Sequence, residues 1–295
     1  MSTPIPAEVA AVQEAWRQRG RLVALPDGHR LFVVQEGSGP DLLLAHGFPS
    51  TSHDFAAAWP ALTARYRVTV FDHLGFGFSD KPASASYSLL DQGRRAGELA
   101  RALGIQHAYL LGHDMGLTIA VEMLCRAETT TLGFSIDRLV LCNGSHLVEL
   151  AHLTPFQQMI LSDEGAQSFC RSFDAEAFAT GLEFLWGHGA PPPKLELRAI
   201  AYWLAAGEGL AVFPKIAKYN LERTTYAERW RSILTRTAVP IRVVWGDRDP
   251  IAVFEIGQRL AAMGHAPLTV LDGVGHYPQL EAPERWAQAV LAALA

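Results

Sequence analysis

The chain of 295 residues contains little cysteine and no long hydrophobic run. Its three cysteines, Cys125, Cys142 and Cys170, are an odd number without the close spacing of a disulfide framework or a zinc site, so we expect reduced thiols. No apolar run approaches the ~20 residues of a membrane-spanning helix. The N-terminus has no basic segment followed by an apolar stretch, so no secretory signal is predicted. These features predict a cytoplasmic protein without a membrane partner.

Clustered positive charge is also missing. The chain carries 25 Lys and Arg against 30 Asp and Glu, a formal net charge of −5, and a nucleic-acid partner would require a clustered basic face. Metal-binding spacings such as HExxH are not found among the histidines. We therefore expect no nucleic-acid partner, no metal and no cofactor.

Short apolar runs alternate with helical patterns along most of the chain. A PDGH turn at residues 26–29 separates the first two runs and predicts a hairpin. The alternation of strands and helices predicts an α/β fold with a mostly parallel sheet and helices on both faces. Predicted strands are 21–25, 31–35, 41–45, 66–71, 108–111, 138–142, 241–245 and 268–271. Predicted helices outside the middle region are 89–103, 117–126, 254–263 and 279–295, with only a short polar arm and a turn or more of helix at the N-terminus.

Residues 145–236 differ from the rest of the chain in their pattern of apolar and polar residues. They lack strand-like runs, show amphipathic helical patterns, contain a Gly/Pro break at 187–193 and are rich in aromatic residues. We interpret this region as an inserted helical cap, or lid, lying over one edge of the sheet. The core would then comprise residues 1–144 and 237–295.

The sequence GHDMG, residues 112–116, lies between a predicted strand and a predicted helix. Gly-x-Asp-x-Gly has the form of a nucleophile elbow in which aspartate replaces serine. Asp114 is followed in the chain by Asp249 and His276, each after a later strand, and this is the order nucleophile, acid, histidine. Asp114 alone could be a simple helix N-cap, and Asp247 is a rival for the acid.

Taken together, these motifs resemble the α/β-hydrolase fold family, specifically its branch of epoxide hydrolases and haloalkane dehalogenases. The resemblance spans nearly the whole chain and includes HGFP at 46–49. The segments TSHDF (51–55), LGFGFSDKP (74–82) and GHYPQL (275–280) are most similar to the mesoderm-specific transcript group. The resemblance implies that His276 is the base, oriented by Asp249, and that the backbone N–H groups of Phe48 and Met115 form the oxyanion hole. It also implies a tyrosine donor in the cap, for which Tyr219 has the matching position; Tyr202, and more weakly Tyr226, are candidates for a second donor.

An aspartate nucleophile attacks saturated carbon and leaves an alkyl-enzyme ester, which water then hydrolyses. We therefore expect a strained or activated bond as the target, either the C–O bond of an epoxide or a carbon–halogen bond. Because HGFP resembles the epoxide hydrolases more than the dehalogenases, we favour a small apolar epoxide as substrate. The alternative is a haloalkane dehalogenase, but Phe48 and Met115 offer no side-chain donor for a halide, and Trp186 or Trp203 would have to substitute. A carboxylesterase is a remote alternative, because an aspartate that attacked an ordinary carboxylic ester would have to form an anhydride. A catalytically silent binding protein that keeps the fold is the alternative from another class. We expect the protein to be a monomer or a homodimer.

Other polar and aromatic residues near these motifs have simpler interpretations. His46 and His113 are expected to make structural hydrogen bonds. Asp72, His73, Asp80 and Lys81 are expected to form a turn network. Tyr202, Trp186 and Trp203 are also candidates for substrate contacts, although Trp186, Trp203 and Phe213 more often belong to the core of such a cap than to the wall of its substrate site.

Overall fold

Eight strands in the described part of the chain form one sheet in the order β1-β2-β4-β3-β5-β6-β7-β8. The computed structural model describes residues 4–129, 132–187 and 191–295. β1 pairs with β2 and β2 with β4 in antiparallel fashion, and the remaining neighbours are parallel, so the predicted α/β class is confirmed. The strands are β1 (Arg21–Ala24), β2 (Arg30–Glu36), β3 (Asp41–Ala45), β4 (Arg67–Phe71), β5 (His107–His113), β6 (Ser135–Cys142), β7 (Ile241–Gly246) and β8 (Leu268–Leu271).

Helices cover both faces of this sheet. Side chains alternate between the two faces of a strand, so Leu43 of β3 joins one hydrophobic core while Leu42 and Leu44 join the other. The α-helices are α1 (Ala7–Arg19), α2 (Trp59–Thr63), α3 (Leu89–Ala102), α4 (Met115–Glu128), α5 (Pro155–Met159), α6 (Asp163–Arg171), α7 (Ala175–Gly181), α8 (Lys194–Ala205), α9 (Gly209–Ile216), α10 (Tyr219–Thr225), α11 (Ala227–Arg236), α12 (Phe254–Met263), α13 (Pro278–Glu281) and α14 (Pro283–Leu294).

The register of the parallel strands brings their carboxyl ends to one edge of the sheet. Ala45 of β3 pairs with Gly112 of β5, and His113 of β5 pairs with Cys142 of β6. Gly246 of β7 pairs with Leu271 of β8. In open α/β sheets ligands bind beyond this edge, and the loops that follow β3, β5, β7 and β8 all begin here.

Helices α5 to α11 lie between β6 and β7, the interval in which the sequence predicts the cap, and we call them the cap helices. A buried carboxylate joins them to the core. Glu122 of α4 accepts hydrogen bonds from Arg229 Nε at 2.8 Å and from Trp230 Nε1 at 3.0 Å, both on α11. Because a buried carboxylate requires such partners, this contact fixes the C-terminal end of the cap against α4.

The structure differs from the sequence prediction at both ends of the chain, and one predicted break lies partly outside the described residues. The predicted single helix at 279–295 is two helices, because Pro283 cannot continue a helix from the preceding residues and Ala282 leaves the helical region at φ −138°, ψ 60°. The N-terminal arm is a 13-residue helix, α1, that buries Val9 and Trp16. The Gly/Pro break at 187–193 lies partly outside the described residues.

Cys125, Cys142 and Cys170 are free cysteines. Among the residues described, no helix has both the length and the apolar character required to cross a bilayer.

Candidate active site

Asp114 occupies a strained turn between β5 and α4. Its backbone adopts φ 47° and ψ −111°, a conformation that L-residues rarely adopt. Two flanking glycines make the turn possible because backbone passes very close to them. A Cβ on Gly112 would lie 2.3 Å from the Gly116 oxygen, and a Cβ on Gly116 would lie 2.1 Å from the Ala45 oxygen. Steric contact with the neighbouring backbone therefore explains why GHDMG has glycine at both of these positions.

The carboxylate of Asp114 is held by the loop after β3 rather than by its own helix. The N–H of Phe48 donates a hydrogen bond of 2.8 Å to Asp114 Oδ2. Within the described residues, Asp114 stands at the N-cap position of α4 but makes no side-chain capping bond, which argues against the simple N-cap interpretation. Met115 is the first residue of α4, so its N–H lies at the helix end where negative charge is favoured.

His276 and Asp249 form a buried pair. His276 Nδ1 lies 2.8 Å from Asp249 Oδ2. The other oxygen of Asp249 accepts the backbone N–H groups of Ile251 and Ala252 at 2.9 and 2.8 Å, so its orientation is fixed. The rival Asp247 instead accepts the N–H of Gly273 at 2.7 Å in a surface loop.

The environment of this pair favours its charged forms. Burial alone would raise the pKa of Asp249, but the charge of His276 and hydrogen bonds from His276 and Asn143 bring that pKa below its ordinary value. Burial alone would lower the pKa of His276, but the charge of Asp249 and its hydrogen bond raise that pKa above its ordinary value. Nδ1 faces Asp249, so Nε2 is the nitrogen available for base catalysis.

Asp114 and His276 line the same cavity, which has a volume of about 330 Å³. The backbone N–H of His276 donates to the Leu185 oxygen of the cap at 2.8 Å, so the histidine loop and the cap are joined directly. The cavity wall is largely apolar and is contributed mostly by the cap, for example by Phe156, Phe169 and Phe178. In the described chain the polar residues on the wall are Asp114, His276, Tyr219, Thr154 and Gln157.

Tyr219, at the start of α10, faces this cavity. Its ring lies 5.1 Å from that of Phe48 and 4.8 Å from the guanidinium carbon of Arg223. Burial, reinforced by the negative charge of Asp114, raises the pKa of Tyr219 far above its ordinary value, although Arg223 partly opposes this shift. Its hydroxyl is therefore protonated at neutral pH and can donate a hydrogen bond into the cavity.

The aromatic residues suggested as additional substrate contacts lie elsewhere. Tyr202 is buried, but its hydroxyl donates to Glu176 at 3.1 Å, because α8 turns this face toward α7. Trp186 stacks on Tyr277 at 5.5 Å, and Trp203 packs against His53 and Phe78. None of the three is among the described residues lining the cavity, and the contacts that the structure gives them are packing contacts and one hydrogen bond to Glu176.

Tyr226, the weaker candidate, packs on Trp230 at 5.6 Å and is also not found among those lining residues. Phe213 is fully buried and packs against Phe48 and Phe169, two residues of the cavity wall. It therefore supports the wall from behind.

Sequence reasoning missed three residues of this region. Asn143, at φ 28°, donates its amide to Asp249 Oδ2 at 2.9 Å. Gln157 interacts with the Tyr219 hydroxyl, and its carbonyl is held by the N–H and hydroxyl of Thr154 in a capping box. Arg223 is completely buried beside Asp114. Of the three, only Asn143 could have been found from the sequence, because it directly follows a core strand, where site residues are expected.

The structural interpretation of the neighbouring polar residues is confirmed. His46 contacts the Gly47 oxygen through Nδ1 and accepts the N–H of His73 through Nε2. His113 contacts the His276 oxygen at 2.7 Å. Burial lowers the pKa of His46 to about 3 and that of His113 to about 4, so both are neutral.

The polar residues after β4 form the expected turn network. Asp72 accepts the backbone N–H groups of Ser52 and Phe78, and Lys81 donates to the Gly77 and Ser79 oxygens. Asp80 accepts the backbone N–H of Arg30, and these contacts make a turn network as expected. Among the residues that the structure describes, no His, Cys, Asp and Glu side chains form a group suited to hold a metal ion.

A carboxylate on a strained strand–helix turn, a backbone donor to that carboxylate and a histidine–aspartate pair have the arrangement of a hydrolase triad. The sequence profile of the alpha/beta hydrolase fold matches residues 40–283. The chain therefore belongs to the α/β-hydrolase fold family.

Relatives of known name agree with this membership. LipZ of Mycobacterium tuberculosis is 34% identical over 280 residues, covering 95% of this chain and 96% of LipZ. The mesoderm-specific transcript protein of Mus musculus is 32% identical over 291 residues, covering 94% of this chain and 86% of the relative. Haloalkane dehalogenase 2 of M. tuberculosis is 28% identical over 276 residues, with 89% and 90% covered.

Solved structures share the fold. A hydrolase from Pseudomonas aeruginosa superimposes with a TM-score of 0.73 at 28% identity, covering 94% of this chain and 98% of that one. The epoxide hydrolase CorEH superimposes with a TM-score of 0.74 over 93% of this chain and 98% of its own, at 17% identity, a likeness of fold alone.

Proposed function

We propose that this chain hydrolyses small apolar epoxides to diols through a covalent ester on Asp114, without a cofactor. The observation that carries the proposal is one apolar cavity in which a carboxylate, an aspartate-paired histidine and a protonated tyrosine hydroxyl meet. Each of these groups has a role in one of the two chemical steps below.

In the first step, an Asp114 carboxylate oxygen attacks an epoxide carbon. A carbon–oxygen ester bond forms, the ring C–O bond breaks, and its electron pair stays on the departing oxygen. That oxygen takes the proton of the Tyr219 hydroxyl. The transfer is favourable because an aliphatic alcohol is about as weak an acid as water, whereas a phenol is a stronger acid.

In the second step, His276 removes a proton from water, and the resulting hydroxide attacks the ester carbonyl carbon. The N–H groups of Phe48 and Met115 would receive the oxyanion. Collapse breaks the bond between the carbonyl carbon and the alkyl oxygen, and His276 returns its proton to that oxygen. The carboxyl proton of Asp114 passes to the tyrosinate of Tyr219, so both groups are restored and the net reaction is epoxide plus water to diol.

A haloalkane dehalogenase is the second candidate, because haloalkane dehalogenase 2 is 28% identical to this chain. It would need N–H donors for a leaving halide. The described residues of the cavity wall include no tryptophan, and Phe48 and Met115 have no donor side chain. Gln157 is the one amide donor among the described residues of the wall, so epoxide opening by Tyr219 is the better-supported chemistry.

The deciding experiment is a turnover screen of aryl and alkyl epoxides and of haloalkanes, measuring diol and halide release separately. We expect diol from apolar epoxides that fit about 330 Å³ and little halide. Halide release without diol from any epoxide would replace the proposal by the dehalogenase. Hydrolysis of neither class would favour a silent binding protein.

Replacing Tyr219 by phenylalanine should slow formation of the ester far more than its hydrolysis. The ring packing against Phe48 is kept, but the proton donor for the departing oxygen is lost, an effect of about 10²–10⁴-fold for general acid catalysis. Rapid-quench measurement of the two steps checks this. Tyr226→Phe, which alters a tyrosine packed on Trp230, is the matched control. Equal slowing of both steps would contradict the donor role.

Replacing Asp249 by asparagine should lower turnover by about 10²–10⁴-fold, because the amide no longer stabilises the imidazolium of His276. Asp247→Asn, two residues away and bonded to Gly273, should leave turnover within about twofold. Steady-state diol formation by the two variants is the measurement. A greater loss in Asp247→Asn would exchange the roles of the two aspartates.

A further inference from the structure

We propose that Arg223 is the counter-ion of the Asp114 carboxylate and that, once Asp114 is esterified, this charge stabilises the oxyanion formed during ester hydrolysis. The second half of this inference rests on the proposed function, whereas the first half concerns the resting enzyme and does not. Arg223 lies on α10 of the cap, and no motif of the core indicates it.

The guanidinium of Arg223 is completely buried, and its hydrogen-bond partners carry no charge. Nε donates to Thr118 Oγ1 at 3.0 Å, Nη1 to Asn220 Oδ1 at 2.8 Å, and Nη2 to the backbone oxygen of Asp114 at 2.8 Å. Among the described residues, the one carboxylate within 4.0 Å of it is Asp114, whose Oδ1 lies 3.7 Å from Nη2.

A buried cation is costly unless an anion compensates it. Arginine stays charged at any physiological pH, so Arg223 cannot avoid the cost by losing its proton. Asp114 is the anion in position to compensate it. The same nitrogen, Nη2, binds the backbone oxygen of Asp114, so Arg223 also holds the strained turn in place.

Esterification of Asp114 removes the negative charge that compensates Arg223 in the resting enzyme. When Asp114 becomes a neutral ester, its negative charge moves toward Tyr219, whose ring lies 4.8 Å from the guanidinium carbon. During ester formation the charge therefore migrates but stays near Arg223. During hydrolysis a new negative charge develops on the carboxyl group itself, beside a cation whose carboxylate partner has been consumed. Arg223 thus assists hydrolysis more than formation.

The resting pair can be tested without any substrate. In a double-mutant cycle of Asp114→Asn and Arg223→Met, the melting temperature of the double variant should exceed the value expected from adding the two single shifts, by at least about 3 °C. Additive shifts would show that the two charges are not coupled and would overturn the inference. Arg223→Gln serves as the neutral variant if the methionine variant does not fold.

The role in hydrolysis is tested by comparing Arg223→Met with Arg223→Lys in rapid-quench experiments with an epoxide. We expect the neutral variant to hydrolyse the ester about 10–100-fold more slowly, comparable to the loss of an oxyanion donor, and to accumulate it. Ester formation should change less, and lysine should restore much of the hydrolysis rate. Equal slowing of both steps, or lysine no better than methionine, would overturn the role.

The pH profile of ester hydrolysis gives a readout that a purely structural role would not move. His276 must be neutral to act as base, so hydrolysis rises with pH through its pKa. The groups facing His276 are Asp249, Asp114, Arg223 and the neutral His113. Loss of the positive charge favours protonated His276, so the rise should move to higher pH in Arg223→Met and return toward the wild-type position in Arg223→Lys. An unchanged profile would contradict an electrostatic role.

These experiments separate the two proposals. If the wild-type chain forms no ester with any epoxide, the proposed function fails, and the melting-temperature cycle still decides whether Asp114 and Arg223 are paired. If the ester forms but the cycle is additive, the function stands and the counter-ion inference fails.

Discussion

Replacing Asp114 by alanine is expected to lower diol formation by about 10⁴-fold or more, because the described residues of the cavity wall include no other carboxylate that could form the ester. The melting temperature should fall as well. Alanine at φ 47° retains the strain of the turn, whereas loss of the carboxylate leaves Phe48 N–H and Arg223 without their partner. Steady-state diol formation, with circular dichroism to verify folding, is the measurement.

Asp114→Ser is the matched control for this prediction. It provides the usual elbow residue of the family and therefore keeps a nucleophile on the same turn. We nevertheless expect no diol turnover, because serine attack on an epoxide would give an ether that His276 and water cannot hydrolyse. Diol formation by either variant near the wild-type rate would show that water attacks the epoxide directly.

Replacing His276 by glutamine is expected to trap the ester. Turnover should fall by about 10²–10⁴-fold because water is no longer activated, while attack by Asp114 continues. Intact mass spectrometry after incubation with an epoxide should show added mass equal to one epoxide molecule, located on the peptide that contains Asp114. The double variant Asp114→Ala/His276→Gln should show no such adduct.

An adduct on another residue, or none with a substrate that the wild-type chain turns over, would contradict the division of labour between Asp114 and His276. The Asp249→Asn variant provides a further comparison. It keeps the imidazole but weakens it as a base, so it should accumulate less ester than the glutamine variant.

The core of the candidate site could be predicted from the sequence because sterics and topology constrain it. Gly112 and Gly116 are required where Ala45 and the start of α4 pass within contact distance, so GHDMG marks the turn before any coordinates are known. Parallel strands end at one edge of the sheet, so polar residues directly after β5, β7 and β8 converge. The fold class and the positions of Asp114, Asp249 and His276 follow from these two constraints.

The contacts of the cap side chains could not be predicted from the sequence, because no comparable steric or topological constraint fixes how the cap helices pack. An amphipathic pattern indicates which face of a helix is buried but not which neighbour it meets. Trp186, Trp203 and Tyr202 are buried as their aromatic character suggests, yet they pack within the cap or against the core. Conversely, a charged residue in YNLERTT is normally expected on a surface, and only the fold shows that Arg223 faces Asp114.

The covalent ester is most directly tested by turnover in water enriched in ¹⁸O. Because hydroxide attacks the ester carbonyl carbon, the oxygen from water should enter the carboxyl group of Asp114. In a single turnover the diol should carry unlabelled oxygen from Asp114, and the Asp114 peptide should gain the label. Label in the first diol formed, with none in the Asp114 peptide, would show direct attack by water and would contradict the account.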